Sequence, residues 1–413
     1  VPIQSVVAKT ARLAVSALEK ELIDVIRQRG EATKSELIIR SEYSRAKING
    51  SIASLLKKKI IKPAGAGDYT GGRRSVKYQM NGEVGLVTGI DIGATSIDIV
   101  LADLAGKVYG RTSEPASVRE GPRAVLEQVY KLLDTLMAES GHSPEQLFAA
   151  GVGVPGPVDF SNGMVVSPPI MPGWDGYPIA QAIQDRYANA RAVVDNDVNV
   201  MALGEKYYGI GQNVANLIFV KIGTGIGSGI ICNGKIYRGS NGCAGDIGHI
   251  SVKKDGPMCH CGNLGCLEAM AAGPAIAETG VRAVLDGKSA VLKKFYDLNG
   301  GRLRAEDVGL AAGEGDPVAI EIIRSCGQMI GDVLAGLVNF YNPGAIVIGG
   351  GVSNLGNFLL SSIRQAVLNR SLPLATRDLR IVFSAMGPDA GISGATALAI
   401  DHIFSVDGLQ TAR

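Results

Sequence analysis

The sequence predicts an α/β protein built of two related lobes, preceded by a small basic winged helix-turn-helix module. Three observations carry that prediction. A strand, a glycine-rich turn and a second strand occur at 86–101 and again at 216–232, which marks a duplicated unit. Residues 1–82 hold 16 Lys and Arg against 7 Asp and Glu, whereas the rest of the chain holds 25 against 32. At 413 residues the chain is also too long for one ordinary domain.

Hydrophobic residues make up 46%, charged residues 19% and aromatic residues 5%. That composition excludes disorder and fits large buried cores. Fifty-five glycines imply many tight turns and close backbone approaches. No run of roughly 18 uncharged apolar residues exists to span a membrane. Arg12, Glu19, Lys20 and Asp24 interrupt any signal-like segment. A soluble, cytoplasmic protein is expected, with a polyanion as partner for the basic part.

In that basic part, Leu18, Leu22, Val25 and Ile26 recur at helical spacing and stop at Arg29-Gly30, a basic last turn before a C-cap glycine. Thr33-Lys34-Ser35-Glu36 reads as a capping box opening a short helix to about Arg40. Ser44 caps a third helix to about Lys58, in which Ile48, Ile52, Leu55 and Leu56 form one apolar stripe. Its other face has small residues beside Lys47, Asn49 and Ser54, so a groove can approach closely while donors reach phosphates and bases. Beyond glycines 65, 67, 71 and 72, Arg73-Arg74 lead into an alternating strand, Ser75–Met80. Three helices and a basic hairpin in this order are the parts of a winged DNA reader. The candidate DNA contacts are Ser44, Arg45, Lys47, Asn49, Ser54, Arg73 and Arg74. A helical dimerisation domain is the alternative.

In the body, strands are expected at 86–92, 97–101, 107–111, 216–222, 230–232 and 235–237, with helices near 121–139, 176–188, 197–208 and 316–341. The turns Gly93–Ser96 and Gly223–Gly229, with Gly349–Gly351, expose backbone N–H groups suited to an anion, which points to a nucleotide-shaped cleft between the lobes. Gly151–Pro157 reads as a rigid loop lying against a small ligand. Asp195, Asn196 and Asp197 stand at a strand-to-helix junction. They could bind sugar hydroxyls, with Asp197 able to deprotonate one, and capping by Asn196 or Asp197 is compatible with that role.

His249, Cys259, Cys261 and Cys266 fall within eighteen positions, spaced by glycines that let the loop fold back. In a reduced compartment such a set suits structural, tetrahedral Zn2+ better than a disulfide or unrelated thiols. The metal would also fix Asp246, His249 and Glu268 in place. Cys232, Cys243 and Cys326 lack such company.

These residues resemble the ROK family of repressors, open reading frames and sugar kinases over essentially the whole chain. The resemblance is carried by Val220–Gly239 and by the loop from Gly248-His249 to Cys266-Leu267-Glu268. It implies an actin-like, two-lobed fold of the sugar kinase/hexokinase/Hsp70 type, with zinc at the four ligands. It further implies a sugar held by Gly153, Gly156, Asn196, Asp197, Asp246, His249 and Glu268. In family kinases Asp197 would be the catalytic base. ATP with Mg2+ would lie on Asp91, Gly93, Thr95, Gly223, Thr224 and Gly225, with Gly349 and Gly350 near the adenosine.

The chain departs from the kinase pattern. Ser96 stands where the kinases' phosphate loop has Lys, Ala94 replaces a glycine, Asp246 replaces Glu, and Ile170 replaces an Asn of the sugar loop. Residues 1–82 resemble the DNA-binding domain of the family's repressors. The expected organisation is therefore a DNA-binding domain at 1–82, a first lobe at 83–200 completed by a C-terminal helix near 390–413, and a second lobe at 201–390 with the zinc loop at 249–266. The function expected is a sugar-responsive regulator, a repressor acting as homodimer or tetramer on operator DNA. An ATP-dependent sugar kinase is the alternative.

Overall fold

The computed structural model of the chain describes residues 14–39, 43–66 and 75–404. They form two compact units: one comprises the chain up to Tyr208 together with the segment from Gly391, and the other is Gly209–Ala390. The first unit opens with α1 (Ala17–Arg29), α2 (Lys34–Ile39) and α3 (Arg45–Lys57), interleaved with β1 (Glu31–Thr33), β2 (Ile61–Ala66) and β3 (Val76–Met80). Local chemistry explains these boundaries. Ser16 and Glu19 close a capping box at the start of α1, and Gly30 ends it with φ +77°. The expected box before α2 is present, with Thr33 N–H donating to Glu36 at 2.7 Å and Glu36 N–H donating back to the Thr33 hydroxyl at 3.3 Å. β3 lies between β1 and β2 in an antiparallel sheet whose first strand was not expected. A three-residue strand carries too little alternation to be read from sequence.

Next come β4 (Leu86–Ile92), β5 (Ser96–Asp103), β6 (Val108–Pro115), α4 (Pro122–Glu139), β7 (Leu147–Val154), the short pair β8 (Val158–Asp159) and β9 (Met164–Val165), α5 (Ile179–Arg186), β10 (Arg191–Asn196) and α6 (Asp197–Tyr208). The main sheet has the order β10-β7-β4-β5-β6, with β7 and β10 parallel to β4 and the other pairs antiparallel. The second unit repeats it. β11 (Leu217–Ile222), β12 (Ile226–Cys232) and β13 (Lys235–Tyr237) make the antiparallel meander. Helices α7 (Leu267–Ala271), α8 (Gly273–Leu285), α9 (Ala290–Leu298), α10 (Ala305–Gly313) and α11 (Pro317–Tyr341) follow. Then come β14 (Ala345–Gly349), α12 (Asn357–Arg370), α13 (Pro373–Thr376) and β15 (Arg380–Phe383), after which α14 (Asp389–Ile403) belongs from Gly391 on to the first unit. The sheet order is β13-β12-β11-β14-β15, the same topology as in the first unit. The internal repeat read from two glycine turns is thus a repeat of whole sheets.

Two glycine segments differ from the sequence reading. The segment read as a loop, Gly151–Pro157, is strand as far as Val154, and β7 is buried throughout. Gly151 is needed there because a Cβ would stand 2.0 Å from the Ala395 carbonyl oxygen. Of Gly223–Gly229, only 223–225 turn, and Gly227 and Gly229 belong to β12. In each case a neighbouring strand or helix, invisible in local sequence, claims the backbone. No helix among the described residues is long and apolar enough to cross a membrane.

Candidate functional site

Helix α3 presents the basic face. Ile48, Ile52 and Leu55 are buried, which leaves Arg45, Lys47 and Asn49 exposed on the other side. Ser44 is occupied as N-cap, its hydroxyl accepting from Lys47 N–H at 3.4 Å. Ser54 is half-buried beside Glu19, whose carboxyl it helps hold below its usual range and which also pairs with Lys58 at 2.9 Å. Arg73 and Arg74 lie outside the described residues.

Within the first unit the predicted ligand residues gather around the ends of β4, β7 and β10. The Asn196 side-chain amide donates to the Gly156 carbonyl at 2.9 Å, and its oxygen accepts from Val198 N–H at 2.9 Å. Asn196 thus caps α6 and clamps the loop after β7 together. Gly156 has φ +114°, so the turn at that point favours glycine. Asp197 opens α6 and is 5% exposed. Gly153 is walled by Asp91, whose Oδ1 a Cβ would meet at 3.3 Å, and by Val200. Gly93 N–H donates to the Ser96 carbonyl at 2.8 Å, which turns the chain between β4 and β5 and leaves Thr95 exposed. Ser96 bonds Asp98 at 3.0 Å. Asn199, to which the sequence reading gave no role, donates to Asp195 at 2.9 Å while its own buried oxygen has no hydrogen-bond partner. Its place in the first turn of the helix that follows Asp195 is the signal that could have found it.

In the second unit the tight turn Gly223–Gly225 is tied to the cysteine loop. Glu268 Oε2 accepts from Ile226 N–H at 3.0 Å, and a Cβ on Gly225 would strike that oxygen at 2.5 Å. Gly349 and Gly350 are explained by packing: one makes room for the Phe219 ring and the other has φ +86° against the Ile222 carbonyl.

One donor atom from each of His249, Cys259, Cys261 and Cys266 lies within 4.8 Å of all the others. Cys261 and Cys266 sulfurs are 3.7 Å apart, and Cys259 Sγ is 3.6 Å from His249 Nδ1. Ligands about 2.0–2.3 Å from a tetrahedral ion stand roughly 3.5–3.8 Å apart, so the cluster fits a closed metal site. The backbone N–H of Asn263 holds the Cys261 thiol down to about 7, whereas burial pushes Cys266 up to about 12 and raises Cys259 as well. Gly265 brings the loop together, since its Cα packs where a Cβ would stand 1.6 Å from the Lys253 carbonyl oxygen. With Nδ1 turned to the sulfurs, His249 directs Nε2 toward exposed Asp246, 3.9 Å away.

The ROK family profile matches residues 87–402. A glucokinase of Halalkalibacterium halodurans is 34% identical over 74% of this chain and 92% of its own length. A xylose repressor of Caldicellulosiruptor bescii is 30% identical over 88% of this chain and 90% of its own. Among solved structures, a ROK family transcriptional regulator described as a homolog of the E. coli MLC protein superposes with a TM-score of 0.80 at 27% identity, covering 97% of this chain and 98% of that one.

Proposed function

The chain belongs to the ROK family, and from that premise we propose that it is a sugar-responsive, DNA-binding transcriptional regulator, a repressor of carbohydrate genes. The observation that carries this reading is the winged helix-turn-helix module at the front of a kinase-like body. The regulator structure covers 97% of the chain, module included, whereas the glucokinase match takes in only 74%. Exposed Arg45, Lys47 and Asn49 on α3 supply phosphate and base contacts. Gly156, Asn196 and Asp197 offer sugar hydroxyls a carbonyl, an amide and a carboxylate, with Gly153 shaping the strand end, and Asp246, His249 and Glu268 are assigned to the sugar by the family resemblance. Zinc is the ion that the one-histidine, three-cysteine set suits, and it would hold His249 as an Nε2–H donor toward a hydroxyl. A homodimer or tetramer in the cytoplasm reads a palindromic operator through two α3 helices.

The test uses the full chain and fragmented genomic DNA, with D-xylose, D-glucose and N-acetyl-D-glucosamine as probes. The reading expects DNA capture that weakens steeply with salt, a rise in unfolding midpoint with one of the sugars, and a change in capture when that sugar is added. Sugar binding without any DNA capture would overturn it. The kinase reading is kept by Asp197 buried at the start of α6 and by the glucokinase relative. Sugar-dependent ADP release lost on Asp197→Asn would decide for it.

A further inference from the structure

Two helices of the first unit start at groups of the ligand site and end against the DNA-reading module. α6 begins at Asp197 and reaches Tyr207 and Tyr208 at its far end, about 15–16 Å further on. α14 brings Gly391 against Asp91, whose Oδ2 a Cβ would meet at 1.8 Å, and carries Asp401 near its far end. The two helices meet backbone to backbone. A Cβ on Gly394 would stand 1.7 Å from the Val200 carbonyl oxygen and 2.9 Å from Gly204 N. No side chain cushions that contact, so a shift of one helix displaces the other. α6 also resists bending, because every residue from Asp197 to Glu205 is buried.

The far ends converge on one arginine of α1. Arg27 Nη1 donates to Asp401 Oδ1 at 2.6 Å, and Lys20 Nζ donates to the same oxygen at 3.0 Å. The Tyr207 hydroxyl lies 2.8 and 2.9 Å from the two carboxylate oxygens, and its ring lies under the guanidinium, 4.4 Å away. The Arg27 side chain is 5% exposed, and its Nη2 is buried without a hydrogen-bond partner. A buried ion pair with a group left unsatisfied is a poor device for stability alone, and its best-attested use is to hold a register or a switch. α1 also shares one apolar core with the lobe, in which Leu22 and Ile26 join Val87, Phe148, Ile400 and Phe404.

We infer that Arg27, Asp401 and Tyr207 form a relay through which displacement of the ligand-end residues Asn196, Asp197 and Asp91 repositions α1 and, with it, the reading helix α3. These three are positioning residues that touch neither sugar nor DNA. The inference rests on the regulator reading, and its test separates the two.

Hydrogen exchange is measured on the full chain and on Tyr207→Phe and Arg27→Met, with and without whichever of D-xylose, D-glucose and N-acetyl-D-glucosamine raises the unfolding midpoint. In the parent chain the sugar should change exchange in Ala17–Arg29 and Arg45–Lys57 about fivefold or more. Both variants should keep the midpoint rise and lose that change. Tyr207→Phe deletes a single hydroxyl, so it remains informative if Arg27→Met folds poorly. A Tyr207→Phe chain that transmits the sugar's effect at parent strength overturns the relay.

A second arm needs no ligand. Because coupling is reciprocal, both variants should speed amide exchange in Gly93–Ser96 and Asp197–Val200. Parent rates there in both would overturn the relay. Failure of every sugar to raise the parent's midpoint would count against the regulator reading, and this arm would still judge the relay.

Discussion

Burial holds the His402 imidazole down to about 4, and the Arg191 guanidinium adds to the shift. A group whose folded pKa is depressed contributes fully only above its unfolded value, about 6.5 for His, and loses that contribution as pH falls toward the folded value. Thermal unfolding between pH 7 and 4.5 should therefore show a falling midpoint, and His402→Gln should flatten the fall. An equal slope in the variant would show that other groups set it. Asp401 works at lower pH: burial alone would raise its carboxyl, but Lys20, Arg27 and Lys206 outweigh that and leave it well below the usual carboxylate range. Gly265 is a second single-residue test. At φ +66°, with the Lys253 carbonyl where its Cβ would go, Gly265→Ala should open the cysteine loop and reduce bound metal, read by elemental analysis of the purified chain.

At the scale of elements, α3 and the α6–α14 contact make opposite demands. α3 is anchored on one side only, so its outer face can change with little effect on folding. Lys47→Ala should weaken binding to all DNA sequences alike and lower the salt slope by about 1, whereas Asn49→Ala should relax sequence preference by about 1–3 kcal/mol at one base position. A Lys47→Ala chain with an unchanged salt slope would remove that residue from the interface. The α6–α14 contact has no such freedom. Gly394→Ala forces two backbones apart and should cost about 1–3 kcal/mol of stability in chemical denaturation. Losses at this contact would accompany altered exchange at α1 if the helices move together.

For the whole molecule, metal removal should separate the two halves of the function. A strong zinc chelator should lower the unfolding midpoint and abolish the sugar-induced rise before it weakens DNA capture, because the His249–Cys266 loop and α3 belong to different units. Simultaneous loss of both would place the metal's influence on the fold at large. Much of this organisation could be read in residues alone. The charge divide at residue 82, the capping signals of α1, α2 and α3, and the glycine-spaced cysteines are local patterns with local physical causes. Such patterns survive without knowledge of neighbours. The winged module, the duplicated lobes and the His/Cys cluster all follow from them.

Other features depended on what packs against what. β7 was hidden because Gly151 and Gly153 read as loop residues until the Ala395 backbone is seen against Gly151. Ser54 gives no sign of a neighbour in the sequence, whereas the fold sets it beside Glu19, far earlier in the chain. Arg27 carried no signal in α1, since its meaning lies in Asp401 and Tyr207, both far along the chain. Sequence by itself determined the kinds of parts and their order, because propensity, capping and ligand spacing act over a few residues. Only the tertiary structure decided which backbones touch and where a buried charge finds its partner, because those energies arise between segments that no local pattern connects.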